Sequence, residues 1–147
     1  MVVSVGIRRV IIKRLIFKIF CFRAFTDRSI GFNNLTLGSN QRLEFLGDTV
    51  LQLVTSEFLY KHFPDHHEGH LSLLRASLVN NRTQSVVCDD LGMTRYASFH
   101  IPKVEFKVKD KADLLEAFVG ALYVDKDLYH CQVNKFKMAW LVSTYCV

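Results

Sequence analysis

Apolar residues recur at intervals of three and four positions through a long internal segment of this chain. The segment runs from Asn40 to Phe63 and contains Leu43, Phe45, Leu46, Val50, Leu51, Leu53, Val54, Phe58 and Leu59. This period is that of an α-helix with one apolar face, not that of a strand, whose side chains alternate between faces. Asn40 is a suitable N-cap, with Leu43 opening the buried stripe. Pro64 ends the helix, because the residue before a proline disfavours the helical conformation.

Three further segments with the same periodicity predict helices at Leu71 to Val79, Gln84 to Leu91 and Lys111 to Val124. Gly92 is a natural stop for the second of them. Residues 93–110 are less regular, and the alternation of Val104, Phe106 and Val108 predicts either a short strand or an extended loop. The last segment is apolar almost all round, as expected of a helix at the centre of a core. The chain is therefore predicted to be a single, mostly α-helical domain.

Length and composition are those of one folded domain. The chain has 147 residues, half of them are hydrophobic, and only two are proline, which excludes a disordered protein. Nineteen Lys and Arg against fourteen Asp and Glu give a net charge of +5, which is compatible with a polyanionic partner without identifying one. The four cysteines have neither zinc-knuckle nor disulfide-framework spacing, which favours reduced thiols in an intracellular protein.

The N-terminal segment is basic and apolar. It contains no acidic residue up to Thr26, and its apolar run is interrupted by Arg8, Arg9, Lys13, Arg14, Lys18 and Arg23. No stretch approaches the ~20 apolar residues of a membrane-spanning helix, so no membrane association is expected. The near-helical spacing of several of these basic residues predicts an amphipathic helix, which either packs on the domain or serves as a mitochondrial-type presequence.

Two pairs of carboxylates lie at helical spacing within apolar sequence. Glu44 and Asp48 are four residues apart on the long helix, and Asp113 and Glu116 are three apart on the late helix, so each pair shares one helix face. Four carboxylates on two packed helices would form an oxygen-only site suited to Mg²⁺. For a single pair a solvated, salt-bridging face is the better explanation, and spacing alone leaves both interpretations open.

Two sequence motifs decide between them. NQRLEFLGDT, residues 40–49, resembles the signature motif of the ribonuclease III family, and ADLLEAFVGALYVD, residues 112–125, is similar to its second motif. Between them, FPDHHEGHLSLLRASLVNNRTQ, residues 63–84, is most similar to the second ribonuclease III domain of the Drosha-type branch, the nuclear microRNA-processing enzymes. RAFTDRSIGFNNLTLGSNQR, residues 23–42, is similar to the same domain.

This resemblance covers residues 23–128. It divides the chain into a basic, apolar N-terminal segment (1–22), a ribonuclease III domain (23–128) and a C-terminal segment (129–147). The implied fold is the all-α ribonuclease III-type endonuclease domain. Since one such domain is visible, the chain is expected to be either a fragment of a longer polypeptide or a short form that homodimerises.

The resemblance also implies the site residues. The metal-binding, catalytic carboxylates of the family's motifs fall on Glu44, Asp48, Asp113 and Glu116, with Mg²⁺ as the expected ion and Mn²⁺ as a substitute. Lys109 matches a lysine that eukaryotic members place near the scissile phosphate, and it is the fifth expected catalytic residue.

Three further features of the family can be located on the chain. Glu68 matches an acidic position of bacterial members, and Gln41 stands where those members usually have glutamate. The cluster of His66, His67 and His70 is expected to be exposed or hydrogen-bonding rather than a zinc site.

The implied function is hydrolysis of double-stranded RNA, such as primary microRNA hairpins, by Mg²⁺-dependent phosphodiester cleavage. The products carry a 5′-phosphate and a 3′-hydroxyl. The domain is expected to act as one half of a catalytic unit with a second ribonuclease III domain, from another copy or from the same polypeptide. A double-stranded-RNA-binding protein is a further expected partner, and the expected location is the nucleus.

The alternative is a non-catalytic ribonuclease III-like protein that binds or scaffolds RNA, as in mitochondrial ribosomes. The basic N-terminus suits this alternative and a mitochondrial location. The four carboxylates at the motif positions favour the enzyme.

Overall fold

The computed structural model describes residues 22–27, 39–98 and 105–133, with side chains as far as Asp125. Its helical elements are α1 (Gln41–His62), α2 (Glu68–Leu78), α3 (Asn81–Asp90), a 3₁₀ turn (Met93–Tyr96) and α4 (Val108–Val133). Within these ranges there is no strand, and Thr26 and Ser98 form an isolated parallel bridge. The prediction of an all-α ribonuclease III-type domain is confirmed at the level of secondary structure.

Helix α1 has the predicted bounds, but its start is stabilised differently from the prediction. The helix begins directly after Asn40 and ends before Phe63, next to Pro64. The Asn40 side chain makes no capping hydrogen bond, and the residue is itself in the helical conformation. Its backbone N–H donates to the Thr26 carbonyl oxygen at 3.0 Å. The start of α1 is thus held by the N-terminal segment, and the expected side-chain cap is wrong.

The apolar residues of α1 divide between two faces. The face turned to the core buries Leu43, Val50, Leu51, Val54 and Leu59. Phe45 and Leu53 belonged to the same sequence pattern, yet they are 79% and 51% exposed. The periodicity therefore predicted the helix correctly and also included residues that lie outside its buried stripe.

Helices α2 and α3 begin three residues before their apolar stripes, because polar residues cap them. The ring nitrogen Nδ1 of His67 accepts a hydrogen bond from the His70 N–H at 3.4 Å. Oδ1 of Asn80 accepts one from the Thr83 N–H at 3.0 Å. Caps of this kind satisfy N–H groups that the first turn of a helix leaves without a partner. The starts predicted at Leu71 and Gln84 were therefore too late.

The turn after α3 is as the sequence predicts, but the segment that follows it is not. Gly92 has a φ of +60°, the left-handed conformation that glycine adopts after a helix. Val108 already belongs to α4, so a strand at that position is wrong; Val104 lies outside the described residues. Helix α4 is longer at both ends than the predicted segment from Lys111 to Val124.

Helix α4 is the centre of the core and packs against both α1 and α3. One group of buried residues joins it to α3 and the 3₁₀ turn: Val87, Cys88, Met93, Leu114 and Leu115. A second group joins it to α1 and the N-terminal segment: Ala24, Leu43, Ala117 and Ala121. The ring of Phe25 packs against both groups. This arrangement fixes the motif-bearing helices α1 and α4 side by side.

In the part of the chain that the structure covers, no helix has the length and apolarity needed to cross a membrane. Cys88 is a free thiol in the core. The predicted basic helix of the N-terminal segment, residues 1–21, lies outside the described residues. So does the end of the chain after Val133.

Candidate metal centre

Helices α1 and α4 cross in backbone contact at two glycines. A Cβ atom on Gly47 would lie 1.8 Å from the carbonyl oxygen of Glu116, and one on Gly120 would lie 2.1 Å from the carbonyl oxygen of Leu43. Both distances are far inside van der Waals contact, so no other residue fits at this crossing without separating the helices. The close approach brings the acidic residues next to the two glycines together.

Three of the four motif carboxylates form one cluster. An oxygen atom from each of Glu44, Asp113 and Glu116 lies within 4.8 Å of the other two. Glu44 comes from α1, and the other two come from successive turns of α4. All three side chains are partly buried, and this partly buried cluster is called the acidic recess below. The spacing within each motif predicted that its two carboxylates share one helix face. The crossing of α1 and α4 brings these two faces together.

Asp48 lies beside this cluster without belonging to the group of three. Its charge contributes to raising the pKa of Glu116, which places it within electrostatic reach. Both of its carboxylate oxygens accept hydrogen bonds from Nε2 of Gln52, at 3.1 and 3.0 Å. Gln52 lies one turn further along α1. The sequence predicted four metal-binding carboxylates, of which the structure groups three and places Asp48 beside them.

Lys109 pairs with the cluster through Asp113. Its Nζ donates to both carboxylate oxygens, at 2.7 and 2.9 Å. This hydrogen bond, together with the charges of Glu44 and Glu116, raises the pKa of the Lys109 ammonium above its ordinary value. The lysine side chain is otherwise exposed, since 68% of its surface is accessible. The structure therefore places an exposed cation in direct contact with one carboxylate of the cluster.

Glu116 has a strongly perturbed pKa. Burial raises its pKa from an ordinary value of 4.5 to about 7, and the negative charges of Asp48, Asp113 and Glu44 add to that shift. A hydrogen bond from the Gln84 side chain acts in the opposite direction. Close carboxylates that repel one another in a partly dry recess are stabilised by a cation that they share.

This donor set fits a hard divalent cation. Oxygen ligands in an octahedral Mg²⁺ shell lie roughly 3 to 4 Å from one another, so side-chain rotations of modest size would bring three oxygens within 4.8 Å into that geometry. A site with oxygen donors alone suits Mg²⁺, Mn²⁺ or Ca²⁺. Glu44, Asp113 and Glu116 would hold the ion, and Asp48 is close enough to contribute through a bound water.

The histidines and Glu68 lie away from the acidic cluster. His67 caps α2, and its ring stacks with that of His70 at 5.8 Å, while the rings of His66 and His70 stack at 4.8 Å. Within the described ranges, no group of metal-binding side chains includes them. Glu68 accepts a hydrogen bond from the Ser72 hydroxyl at 2.9 Å.

Two amides next to the carboxylates, Gln52 and Gln84, were not predicted from the sequence. Gln52 could have been predicted, because it is four residues after Asp48 and therefore lies on the same helix face. Gln84 gave no local signal, because its contact with Glu116 depends on how α3 packs against α4.

Comparison with known proteins places these elements in a family. A family model described as the ribonuclease III domain matches residues 41–127. A protein named Ribonuclease 3 from Caenorhabditis elegans is 63% identical over 113 residues, 75% of this chain and 10% of that protein. The human protein of the same name is 62% identical over 109 residues, 72% of this chain and 8% of that protein. The chain thus spans about a tenth of the length of these animal relatives.

Bacterial relatives are more distant in sequence and closer in size. Ribonuclease 3 of Thermobifida fusca is 44% identical over 110 residues, 72% of this chain and 46% of that protein. A solved nuclease domain of ribonuclease III from Campylobacter jejuni superposes with a TM-score of 0.74 at 28% identity, over 88% of this chain and 90% of that one. That work describes structural flexibility in a region of the bacterial protein involved in dimer formation.

Proposed function

The chain belongs to the ribonuclease III domain family, and we propose that it is an endoribonuclease domain that cuts double-stranded RNA with Mg²⁺. The observation that carries this proposal is the cluster of Glu44, Asp113 and Glu116 at the crossing of the two motif helices. A scaffold that only binds RNA has no use for three partly buried carboxylates within 4.8 Å, since they repel the RNA phosphates as well as one another.

The catalytic residues of the proposal are Glu44, Asp48, Asp113, Glu116 and Lys109. When bound, Mg²⁺ supplies a more acidic water and stabilises negative charge on the phosphate. The three clustered carboxylates would hold that ion, and Asp48 would orient a water beside it. The exposed Lys109 ammonium lies beside Asp113, where it can meet a phosphate oxygen. Hydrolysis adds one water across the phosphodiester: the bond between phosphorus and the 3′ oxygen breaks, the water oxygen becomes part of the 5′-phosphate, and a proton of the water ends on the 3′-hydroxyl.

The substrate of the proposal is a hairpin of the primary microRNA type, cut by a domain like the second one of Drosha-type enzymes. The identity of 62–63% to segments of long animal proteins, against 44% to a bacterial one, supports this branch of the family. Location in the nucleus follows from the same assignment. Double-stranded RNA offers phosphates and 2′-hydroxyls across its minor groove, so its shape rather than its base sequence would be recognised.

A second ribonuclease III domain is the proposed partner, and an exposed apolar face of α1 is the surface it would cover. We name this surface the aromatic face; it consists of Phe45, Leu53 and Tyr60, which are 79%, 51% and 75% exposed. At about 100° per residue, the three side chains lie within about 80° of one another around the helix. Apolar side chains grouped on one exposed helix face are typical of a protein–protein contact.

Cleavage of a labelled RNA hairpin tests the proposed function. The purified chain is incubated with Mg²⁺, and a parallel reaction contains Ca²⁺ instead. If the chain alone does not cleave the RNA, a partner ribonuclease III domain is added. Specific cuts are expected in Mg²⁺ and not in Ca²⁺. Glu44→Gln and Glu116→Gln are each expected to abolish cutting while RNA binding, measured by gel shift, stays close to that of the parent.

Glu57→Gln is the matched control, because it makes the same change on α1 at a partly buried carboxylate that pairs with Lys61 and does not belong to the cluster. It is expected to cut like the parent. If the folded complex with the partner domain binds RNA and never cuts it, the enzyme assignment is wrong and the scaffold alternative stands.

A further inference from the structure

We propose that Gln52 is a positioning residue whose side-chain amide holds the carboxylate of Asp48 beside the acidic recess and keeps it from binding the metal ion directly. The inference rests on the proposed function, since it concerns the same metal site. It adds a neutral side chain that lies outside the signature motif, residues 40–49.

The amide of Gln52 and the carboxylate of Asp48 are in direct contact. Nε2 of Gln52 lies 3.1 Å from Oδ1 of Asp48 and 3.0 Å from Oδ2, so the same nitrogen donates to both oxygens. A carboxylate accepts hydrogen bonds, so the amide must present its nitrogen there. The Gln52 side chain makes no other hydrogen bond with a described residue. Within the described part of the chain, this amide therefore serves Asp48 alone.

The backbone places Asp48 where it could join the acidic recess, yet its carboxylate lies outside it. Asp48 is one turn from Glu44 on α1, and the preceding Gly47 packs against the backbone of Glu116. Its oxygens nevertheless do not belong to the group of three within 4.8 Å. Side chains on a helix lean towards its N-terminus, so Asp48 without a partner would lean towards Glu44. The hydrogen bonds from Gln52 act against that tendency.

The distance between Asp48 and the ion decides what this acid can do. A carboxylate that binds Mg²⁺ directly replaces a water of its octahedral shell. A carboxylate held at the distance of a bridging water accepts a hydrogen bond from that water and orients it. Hydrolysis requires an oriented water. A donor on both oxygens of Asp48 favours the second arrangement, because direct binding of the ion would break these hydrogen bonds.

The test measures Mn²⁺ binding to the full chain by calorimetry and counts the waters on the bound Mn²⁺ by electron spin-echo spectroscopy. Gln52→Leu and Gln52→Ala remove the amide at an exposed helix position, where both residues are good helix formers. Each variant is expected to bind Mn²⁺ roughly 10-fold more tightly, with about one water fewer on the ion, because Asp48 becomes a direct ligand. Tm without metal should stay close to that of the parent.

Cleavage of the RNA hairpin should change in the opposite direction. With the partner domain present where the chain needs it, kcat of both variants is expected to fall roughly 10-fold or more, because the water is no longer oriented. KM for the RNA should stay unchanged. Tighter metal binding together with slower cutting is a combination that a merely structural role of Gln52 would not produce.

Ser56→Ala is the matched control. The Ser56 hydroxyl donates to the backbone carbonyl oxygen of Gln52 at 2.7 Å and accepts from the Arg75 guanidinium at 3.0 Å. Its loss alters the same stretch of α1 and leaves the Gln52 amide in contact with Asp48. This variant is expected to match the parent in Mn²⁺ affinity and in the number of waters on the ion.

Equal Mn²⁺ affinity and water number in the parent and in both Gln52 variants would overturn the inference, and so would weaker binding in both. Failure of both variants to fold would also overturn it, because Gln52 would then act through stability. If the folded parent chain binds no Mn²⁺, the proposed metal site itself is wrong, and the inference falls with it. A parent that binds Mn²⁺ but never cuts RNA would contradict the proposed function, while the Mn²⁺ measurements would still decide the role of Gln52.

Discussion

At the scale of single residues, Glu116 combines the two requirements of the site, burial and negative charge. Burial is what raises its pKa most, and three nearby acids raise it further, to about 7. The native protein without metal therefore holds a proton on Glu116 between pH 4.5 and 7 that the unfolded chain has lost. The stabilisation from this group is fully present below pH 4.5 and is lost as the pH rises through 7.

This shift predicts a pH-dependent gain in stability from Glu116→Gln in metal-free buffer. The variant should match the parent near pH 4.5 and exceed its free energy of unfolding by about 1–2 kcal/mol at pH 8, after allowance for solvent screening. Urea denaturation at a series of pH values measures the difference. Glu57→Gln, the control outside the cluster, should show no such gain in unfolding free energy as the pH rises. Parallel curves for Glu116→Gln and the parent would contradict the shift.

The four carboxylates were predictable from sequence, because two motifs and helical spacing identify them together. The differences between their surroundings were predictable only in part. Asp48 accepts hydrogen bonds from Gln52 on its own helix, a contact that helical spacing could have predicted. The burial that raises the pKa of Glu116 could not be predicted, because it arises where α4 packs against helices that are distant in the chain.

At the scale of helices, the crossing of α1 and α4 at Gly47 and Gly120 determines where the site forms. The sequence predicted both helices from their periodicity, but it carried no measure of how closely they approach. The starts of α2 and α3 were missed for a related reason, since caps by His67 and Asn80 extend a helix beyond its apolar residues.

The crossing predicts that Gly47→Ala and Gly120→Ala are strongly destabilising. A methyl group 1.8 or 2.1 Å from a backbone oxygen forces the helices apart, at a cost of about 3 kcal/mol or more. Gly69→Ala is the control, because its Cβ would meet only the His67 ring at 3.3 Å, and alanine is the better helix former. Thermal unfolding measures all three; parent-like Tm for both crossing variants would show that the helices tolerate separation.

A second prediction concerns Asn80, which joins α2 to α3. Its Nδ2 donates to the Ser77 carbonyl oxygen at 2.6 Å at the end of α2, and its Oδ1 caps the start of α3. Asn80→Ala should therefore cost about 1–2 kcal/mol of unfolding free energy, while Asn80→Asp, which keeps the cap alone, should cost less. Chemical denaturation compares the two, and equal losses would assign the whole effect to the carbonyl contacts.

At the scale of the whole molecule, helix α1 contributes residues to two functional surfaces. Helix α1 contributes Glu44 to the acidic recess, and around its circumference it also presents the aromatic face. The sequence could not divide these roles, because Phe45 and Leu53 fit the same apolar period as the buried residues of α1. A partner domain on the aromatic face would lie directly beside the metal centre.

The aromatic face predicts a loss of self-association or partner binding in Phe45→Asp. Removing a central aromatic contact typically costs 2 kcal/mol or more, a factor of about 30 in the dissociation constant. Sedimentation of the chain alone and with its partner domain measures this. Val124→Asp, on the exposed side of α4, is the control and should associate like the parent. Unchanged association of Phe45→Asp would exclude this face as the contact.

The glycine crossing also has a consequence for genetics. Gly47 and Gly120 each make room for the backbone of the opposite motif, so inherited changes at either position would disable the domain as completely as changes at its acids. A screen for loss-of-function alleles should recover both classes. The glycine alleles would lower the amount of soluble protein, whereas alleles such as Glu44→Gln would leave normal amounts of a folded domain without its metal-binding acid.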